Sequence, residues 1–276
     1  KKKKKVTYNV RSLTDRASLL FLLQFAARNN ISVLALQETR LRIPDLQLCS
    51  ELCHGWQLFW NAATAEGRGG TALLIARTVH VSRHEIVIPA RLHYVSLRIG
   101  GLPLTIYNAY APQRLSDTQP AFVHALTSCG SRDTYPVVLG DLNGCDAEVC
   151  DALLLRSCFS AVGLSARNAW TFQGPTRRGA RPARSCIDHV CLPRRIAAAC
   201  RKVSFANPLL SDHRLVALDF AMRWSVRELE RTSRKTSRIS LDTLAYDDDA
   251  RRRFASAITR LPRPTSLEEH FVVDLY

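Results

Sequence analysis

Short runs of apolar residues, separated by polar residues and glycines, dominate the first 220 residues of the chain. Runs of this length, bounded by turn residues, predict buried β-strands. The predicted strands cover residues 6–10, 32–36, 57–60, 71–76, 81–87, 94–99, 104–108, 136–139, 187–192, 202–205 and 215–220. Two pairs of glycines predict turns, and Gly100-Gly101 suits a hairpin.

Three other segments have apolar residues at helical spacing, at 16–29, 117–128 and 146–158, and Asp15 or Thr14 is a plausible cap for the first. Helices are therefore mixed with strands, and several strands are joined as hairpins. This mixture argues against a purely parallel βαβ sheet. It predicts an α/β fold, a four-layer sandwich of two mixed β-sheets packed face to face and flanked by helices.

The composition changes near Trp224, which predicts two parts, a domain over 1–224 and a spacer over 225–276. The spacer has arginine-rich polar stretches, an acidic patch and a predicted helix over 248–261. Such a composition is typical of a linker to a further domain, so we expect the chain to be a fragment of a longer protein. The lysines at 1–5 are typical of a nuclear-localisation or phosphate-binding patch, or equally of a solvated end.

The formal net charge is +15, from 39 Lys and Arg against 24 Asp and Glu. Such an excess favours a polyanionic partner, nucleic acid before an anionic membrane surface, although a basic soluble domain has the same composition. No apolar run reaches the length of a transmembrane helix, and the lysine-rich start leads into a strand rather than a signal sequence. We expect no membrane association.

The nine cysteines are scattered, and none forms a C-x-x-C pair. An odd count without zinc-site spacing favours reduced thiols in an intracellular protein over disulfides or a zinc site.

Polar side chains follow several predicted strands, where the chain leaves the sheet. They are Asn9, Glu38, Tyr110, Asp141, Asn143, Asp212 and His213, with Asp188 inside a later strand. Carboxylates and amides suit a hard cation such as Mg²⁺, and histidine can neutralise a phosphate oxygen. Each motif has a plainer reading as a turn, a helix cap or a surface residue. Together they predict one pocket for a cation and a phosphate ester, with Asp188 fixing the tautomer of His213 and His189 facing away.

The form and order of these motifs carry a resemblance. YNVRSL, QETR, YAP, GDLN, S-x-IDHV and SDHRLV over residues 5–222 resemble the endonuclease/exonuclease/phosphatase superfamily, whose fold is DNase I-like. They are most similar to the abasic-endonuclease-like domain of LINE-type (non-LTR) retrotransposon proteins. The segment ISLDTL…ARRRFASAI resembles the spacer that joins this domain to a reverse transcriptase.

The resemblance implies a role for each motif residue. Glu38 is the main metal ligand, with Asn9 and Asp212 assisting, and the metal is Mg²⁺, with Mn²⁺ as a substitute. Asp141 orients or deprotonates the attacking water, Asn143 and Tyr110 bind the scissile phosphate, and His213, held by Asp188, stabilises the developing charge. The implied reaction is a nick in double-stranded DNA that leaves a 3′-hydroxyl and a 5′-phosphate, and the 3′-hydroxyl primes reverse transcription.

Two positions depart from the pattern of relatives. Arg11 stands where relatives often have Asp or Asn, which puts a second metal in doubt, and Gln113 replaces the usual Asn after YAP. A basic loop between Thr171 and Ser185 corresponds to a hairpin that helps relatives select their target. We expect DNA contacts from Arg177, Arg178, Arg181, Arg184, Thr171, Ser185, Gln113 and Arg11, although a solvated loop would have a similar composition.

The resemblance further implies a monomeric domain in the nucleus, with the element RNA and the reverse transcriptase domain as partners. Three other functions share the motifs or the fold: repair at abasic sites, hydrolysis of a lipid or inositol phosphate, and a catalytically dead binding module. The basic charge favours DNA over lipid headgroups, and the spacer favours a mobile element over repair.

Overall fold

A computed structural model describes residues 4–45, 51–99, 102–114, 116–133, 135–164, 169–175, 182–198, 200–209 and 211–220, all within the compact unit Lys1–Ser225. The predicted spacer and its helix over 248–261 lie outside the described residues. Of the five starting lysines, Lys4 and Lys5 belong to the first strand, and the other three lie outside the described residues.

Two six-stranded mixed sheets with flanking helices form the domain, which confirms the predicted fold class. The first sheet has the order β13-β14-β1-β2-β4-β3. Its strands are β1 (Lys4–Asn9), β2 (Ile31–Gln37), β3 (Trp56–Asn61), β4 (Thr71–Ala76), β13 (Cys200–Ala206) and β14 (Leu215–Phe220). Strands β1 and β2 are parallel, and the other pairs are antiparallel.

The second sheet has the order β5-β6-β7-β8-β12-β9, with β7 and β8 parallel. Its strands are β5 (Val81–Ile88), β6 (Leu92–Ile99), β7 (Leu102–Tyr110), β8 (Pro136–Asp141), β9 (Leu155–Ser157) and β12 (Asp188–Pro193). Two short strands, β10 (Phe172–Gln173) and β11 (Arg184–Ser185), form a separate hairpin. This hairpin closes the segment that the sequence predicts as a basic loop.

Helices cover the outer faces of the sheets. Helix α1 (Arg16–Arg28) buries Leu22 and Ala26 against the first sheet, and the Asp15 carboxylate caps it by accepting from the Ser18 N–H at 2.7 Å. The others are α2 (Gln119–Gly130), α3 (Asp146–Ala152), α4 (Cys158–Ala161) and α5 (Arg194–Ala197), and a 3₁₀ turn covers Ile43–Asp45.

The predicted helix over 146–158 is wrong beyond Ala152. Leu154 has a φ of 53°, a left-handed conformation that ends the helix, and β9 follows and pairs with β12. Helical spacing of the leucines concealed this change, because the same apolar residues also suit a buried edge strand.

Successive side chains along each strand point alternately to the helix layer and to the space between the sheets. Val6 and Tyr8 of β1 pack in the cluster beneath α1, so Thr7 and Asn9 point to the other sheet. Buried polar groups join the sheets there, since Gln37 Nε2 donates to Asn108 Oδ1 at 2.7 Å. The same alternation brings polar side chains at the strand ends into the gap between the sheets.

Candidate active site

The register of the second sheet places three of the predicted residues side by side. Tyr110 pairs with Asp141 across β7 and β8, and Asp188 pairs with Asp141 across β8 and β12. Since paired residues project to the same face, the phenol and the two carboxylates form one row in the gap between the sheets. Strand pairing alone thus brings Tyr110 and Asp188, 78 positions apart, to either side of Asp141.

Gly140 allows this row to form. A Cβ at position 140 would lie 1.8 Å from the carbonyl oxygen of Ala109 on β7, which no side chain can tolerate. The close approach of β7 and β8 therefore requires glycine immediately before Asp141. The sequence pattern LGDLN contains this requirement.

Asp141 is buried at the centre of the row. Its Oδ2 accepts from Asn9 Nδ2 at 3.0 Å, across the gap from the first sheet, and its Oδ1 accepts from the Asn143 N–H at 3.1 Å. Burial first, and the neighbouring Asp188 charge second, raise the pKa of Asp141 to about 7. A carboxylate with this pKa can take up a proton near neutral pH.

Asp188 and His213 form a buried pair. His213 Nδ1 lies 2.8 Å from Asp188 Oδ2, which is the contact that the sequence predicts. Burial lowers the pKa of His213, but the charge and hydrogen bond of Asp188 outweigh it, so the pKa lies above its ordinary value. The contact at Nδ1 leaves Nε2 as the ring nitrogen available to a substrate.

Glu38 contacts the row at Tyr110, its β7 end. The Tyr110 hydroxyl donates to Glu38 Oε1, and Arg40 approaches Glu38 Oε2 at 3.8 Å. Burial first, and this hydrogen bond second, raise the pKa of Tyr110, so the phenol stays protonated. Glu38 has a φ of 51° just beyond β2, a conformation that turns its side chain off the strand.

Arg11 has a role in the structure that its position in the sequence does not show. Its backbone N–H donates to Asn9 Oδ1 at 3.0 Å, and its guanidinium binds both carboxylate oxygens of Asp212. The pair lies at the surface, with side chains 48% and 32% exposed. Asp212, the predicted assistant metal ligand, is thus paired with Arg11, which would compete with a metal for the same two oxygens.

The remaining predicted residues surround this centre. Asn143 has a φ of 45°, and its Nδ2 donates to the Ala111 carbonyl at 2.8 Å, which fixes the loop after β8. Gln113 is exposed two residues beyond Ala111. Arg184 and Ser185 are exposed on β11, and the other three arginines of the predicted basic loop, Arg177, Arg178 and Arg181, lie outside the described residues.

Thr171 has a different place from the predicted DNA contact. It is fully buried, and its Oγ1 accepts from the N–H groups of Ile187 and Asp188, both at 3.0 Å. This hydrogen-bond pair fixes the start of β12, and therefore the position of Asp188. A threonine inside a WTF run gives little sequence signal for such a role.

His189 faces away from the site, as predicted. Its Nε2 lies 3.2 Å from the Cys186 carbonyl oxygen, and its ring packs edge-on against Phe159.

The sequence did not single out Arg91, whose guanidinium lies 5.0 Å from the centre of the Tyr110 ring. The eight cysteines among the described residues are free thiols, and in that part of the chain no helix is long and apolar enough to cross a membrane.

The acidic residues fit a divalent cation. Ligand atoms of Asp141, Asp188 and His213 lie within 4.8 Å of one another, and Asp188 Oδ1 is buried with no hydrogen-bond partner among the described residues. An orphaned carboxylate oxygen beside a second buried carboxylate is a costly arrangement that a cation would relieve. Glu38, whose side chain is 15% exposed, supplies a further carboxylate at the same end of the sheets.

Solved structures share this fold. The AP endonuclease LMAP from Leishmania major has a TM-score of 0.63 at 14% identity, covering 79% of this chain and 87% of that one. An AP endonuclease from Archaeoglobus fulgidus has a TM-score of 0.63 at 17% identity, and the match covers 79% of this chain and 99% of that one. The 3′ phosphatase NExo from Neisseria, bound to a product DNA hairpin, has a TM-score of 0.62 at 20% identity, covering 79% and 98%.

Fold and site together define a metal-dependent phosphodiesterase, a hydrolase with buried acids and a histidine between two sheets. The Endonuclease/Exonuclease/phosphatase family matches residues 6–213, and the chain belongs to this family. No curated protein sequence matches the chain.

Proposed function

We propose that this chain is a magnesium-dependent endonuclease that nicks double-stranded DNA and leaves a 3′-hydroxyl to prime reverse transcription. The observation that carries the proposal is the row of Tyr110, Asp141 and Asp188, with His213 bound to the last of them. This row combines a base for water with donors for a phosphate, which is what phosphodiester hydrolysis requires.

Each side chain of the row has a separate task. Asp141 accepts the proton of the attacking water, because its raised pKa of about 7 makes it a better base than an exposed carboxylate. His213, oriented through Nδ1, directs Nε2 toward the phosphate and neutralises charge on its oxygens. Tyr110, once its hydroxyl leaves Glu38, would donate a hydrogen bond to the phosphate, and Asn143 contributes the amide that the resemblance assigns to the scissile phosphate.

The cation in this proposal is Mg²⁺, with Mn²⁺ as a substitute. Glu38 would hold it, with Asn9 and Asp212 assisting, close enough to Asp141 and Asp188 to offset the charge of these two buried carboxylates. Bound there, the ion would stabilise negative charge on the phosphate. Oxygen donors of this kind match the preference of Mg²⁺.

Double-stranded DNA is the proposed substrate because the site has a basic rim. Arginines lie on both sides of the row, at Arg11, Arg40, Arg91 and Arg184. Contacts of such cations with phosphates dominate the affinity of proteins for DNA. The Neisseria relative of the fold was solved with a product DNA hairpin, which is consistent with this choice.

The proposal places the enzyme in a mobile element. Its support is the LINE-type form of the motifs and the spacer-like segment 225–276. A reverse transcriptase domain and the element RNA would then be its partners, and the nucleus its place of action, with the domain acting as a monomer. Repair of abasic sites is the second candidate, favoured by the AP endonucleases among the structural neighbours.

Comparing substrates tests the proposal. The protein would be incubated in Mg²⁺ with supercoiled plasmid, with a duplex containing one abasic site, and with sphingomyelin. We expect efficient nicking of the plasmid, at 3′ ends that a DNA polymerase extends without prior treatment. A strong preference for the abasic duplex would support repair instead, and hydrolysis of the lipid alone would overturn the DNA proposal.

A further inference from the structure

Four successive residues, Trp170 to Gln173, each hold a different part of the site. Thr171 accepts from the Asp188 N–H, and its carbonyl accepts from the Arg214 N–H at 2.6 Å. The Phe172 ring lies 4.9 Å from the His213 ring, and the Gln173 N–H donates to the Asp212 carbonyl at 2.9 Å. The segment therefore contacts every residue from Asp212 to Arg214.

Trp170 joins this segment to β11 through a stack of side chains. The Arg184 guanidinium lies 4.5 Å from the centre of the Trp170 ring, and that of Arg214 lies 4.3 Å from it. Arg214 also lies 4.2 Å from the centre of the Phe205 ring on β13. Trp170 thus connects β11 with the residue that follows His213, and Arg214 connects both with the first sheet.

Hydrogen bonds orient the two arginines within the stack. Arg214 Nη1 donates to the Trp170 carbonyl at 3.2 Å, and Arg184 Nε donates to Gln173 Oε1 at 3.3 Å. A guanidinium that stacks flat on a ring keeps its in-plane N–H groups free for other acceptors. Arg184, exposed on the hairpin, can therefore bind a phosphate without leaving Trp170.

We propose that Trp170 and Arg214 are positioning residues that couple target DNA on the hairpin to the catalytic histidine. The stack and the backbone bonds make the hairpin and the 212–214 loop one unit, so DNA held by Arg184 has a fixed position relative to His213. Neither residue needs to touch the reacting phosphate. The inference rests on the proposed nicking function and adds what sets the position of the cut.

The test measures steady-state nicking of one long duplex in Mg²⁺, with nick positions mapped. Trp170→Ala should lower kcat by about 10²-fold, because a displacement of about 1 Å in the site has that effect, while KM changes less. The nicks should also spread over more positions. Trp170→Phe, which keeps a ring for both arginines, should restore most of kcat and the pattern.

Arg214→Lys separates stacking from charge. Lysine retains the positive charge but lacks the planar guanidinium that contacts both rings, and it cannot donate in the same geometry. We expect Arg214→Lys to resemble Trp170→Ala. If Arg214 acted only as a charge toward DNA, the lysine variant would keep the wild-type nick pattern, which would overturn the inference.

A matched control removes a tryptophan elsewhere. Trp60 on β3 is also half-buried, and Trp60→Ala should lose stability but keep the kcat and nick pattern of the wild type. Amide hydrogen exchange without DNA provides a readout that does not depend on nicking. The amides of Gln173 and Arg214 should exchange faster in Trp170→Ala than in Trp60→Ala.

The outcomes separate the two proposals. If the wild type does not nick DNA, the proposed function fails, whatever the exchange data show. If the wild type nicks DNA and Trp170→Ala has an unchanged kcat and pattern, the coupling is wrong and the proposed function stands. Equal losses in Trp60→Ala and Trp170→Ala would also contradict a positioning role.

Discussion

Asp188 Oδ2 and His213 Nδ1 lie 2.8 Å apart, both buried, although 25 residues separate them in the chain. The carboxylate accepts the Nδ1 proton, which orients the ring and presents Nε2 to the gap between the sheets. Thr171 Oγ1 fixes the backbone of Asp188 by accepting a hydrogen bond from its N–H. The histidine therefore depends on the acid for its tautomer as well as for its position.

Asp188→Asn should lower the rate of plasmid nicking by about 10²–10⁴-fold, because an amide can stabilise the wrong tautomer and cannot stabilise the charged ring. The control is Asp146→Asn, which alters a second acid–histidine contact, with His189 at 3.7 Å, outside the site. Asp146→Asn should nick at the wild-type rate. Equal rates for the two variants would reject the role of Asp188.

Asp141→Asn should flatten the dependence of stability on pH. A carboxyl whose pKa is raised by folding binds its proton more tightly in the folded state, so the free energy of unfolding falls as pH rises from about 4 to about 7. One such group changes the slope by at most about 1.4 kcal/mol per pH unit.

Like that of Asp141, the pKa shift of His213 lowers the free energy of unfolding as pH rises. Its pKa is also raised, so its contribution is present below its unfolded pKa and is lost as pH rises through the folded value. Urea unfolding between about pH 4 and about pH 8 in EDTA would measure the combined slope in the wild type and in Asp141→Asn. A steeper fall in Asp141→Asn than in the wild type would show that the assigned direction is wrong.

Much of the site could be predicted from the sequence because strand ends bring distant residues together. Asn9, Asp141 and Asp188 each end or begin a buried strand. The face of the sheet on which each side chain lies follows from the alternation of side chains along a strand. The register that makes Tyr110, Asp141 and Asp188 a row could not be predicted, because it depends on which strands pair.

Other features depend on contacts that no local pattern encodes. The pair of Arg11 with Asp212 joins residues 201 positions apart, and the Trp170 stack joins four separate segments. The end of α3 at Ala152 was missed because apolar spacing alone does not distinguish a further helical turn from an edge strand.

Gly140→Ala should destabilise the domain by more than about 3 kcal/mol, because its Cβ would overlap the Ala109 carbonyl and force β7 and β8 apart. Gly55→Ala is the matched control, since nothing lies within 4 Å of a Cβ there. Chemical denaturation of both variants measures the difference. Similar stabilities would mean that the two strands can separate without loss.

Glu38→Gln should remove the stabilisation of the protein by Mg²⁺. An ion at 100 times its Kd stabilises the folded state by about 2.7 kcal/mol, and each kcal/mol raises Tm by about 2–4 °C in a domain of this size. The control is Glu85→Gln, because Glu85 accepts from Tyr94 as Glu38 does from Tyr110, but on an edge strand. An undiminished Tm shift in Glu38→Gln would exclude Glu38 as a ligand.

Replacing the four arginines of the predicted basic loop, Arg177, Arg178, Arg181 and Arg184, with alanine should reduce the slope of log K against log salt by about 3 to 4. Each phosphate contact contributes about 0.9 to that slope. The control variant removes four exposed arginines elsewhere, Arg28, Arg77, Arg98 and Arg132. Fluorescence anisotropy with a labelled duplex measures both slopes, and an unchanged slope for the variant without the loop arginines would contradict DNA contact.

The most direct measurement is the rate of plasmid nicking by Asp141→Ala and His213→Ala in Mg²⁺, beside wild-type protein with the same circular dichroism spectrum. If the buried row performs the hydrolysis, each variant should nick at least about 10²-fold more slowly than the wild type. Nicking by either folded variant at close to the wild-type rate would contradict the account.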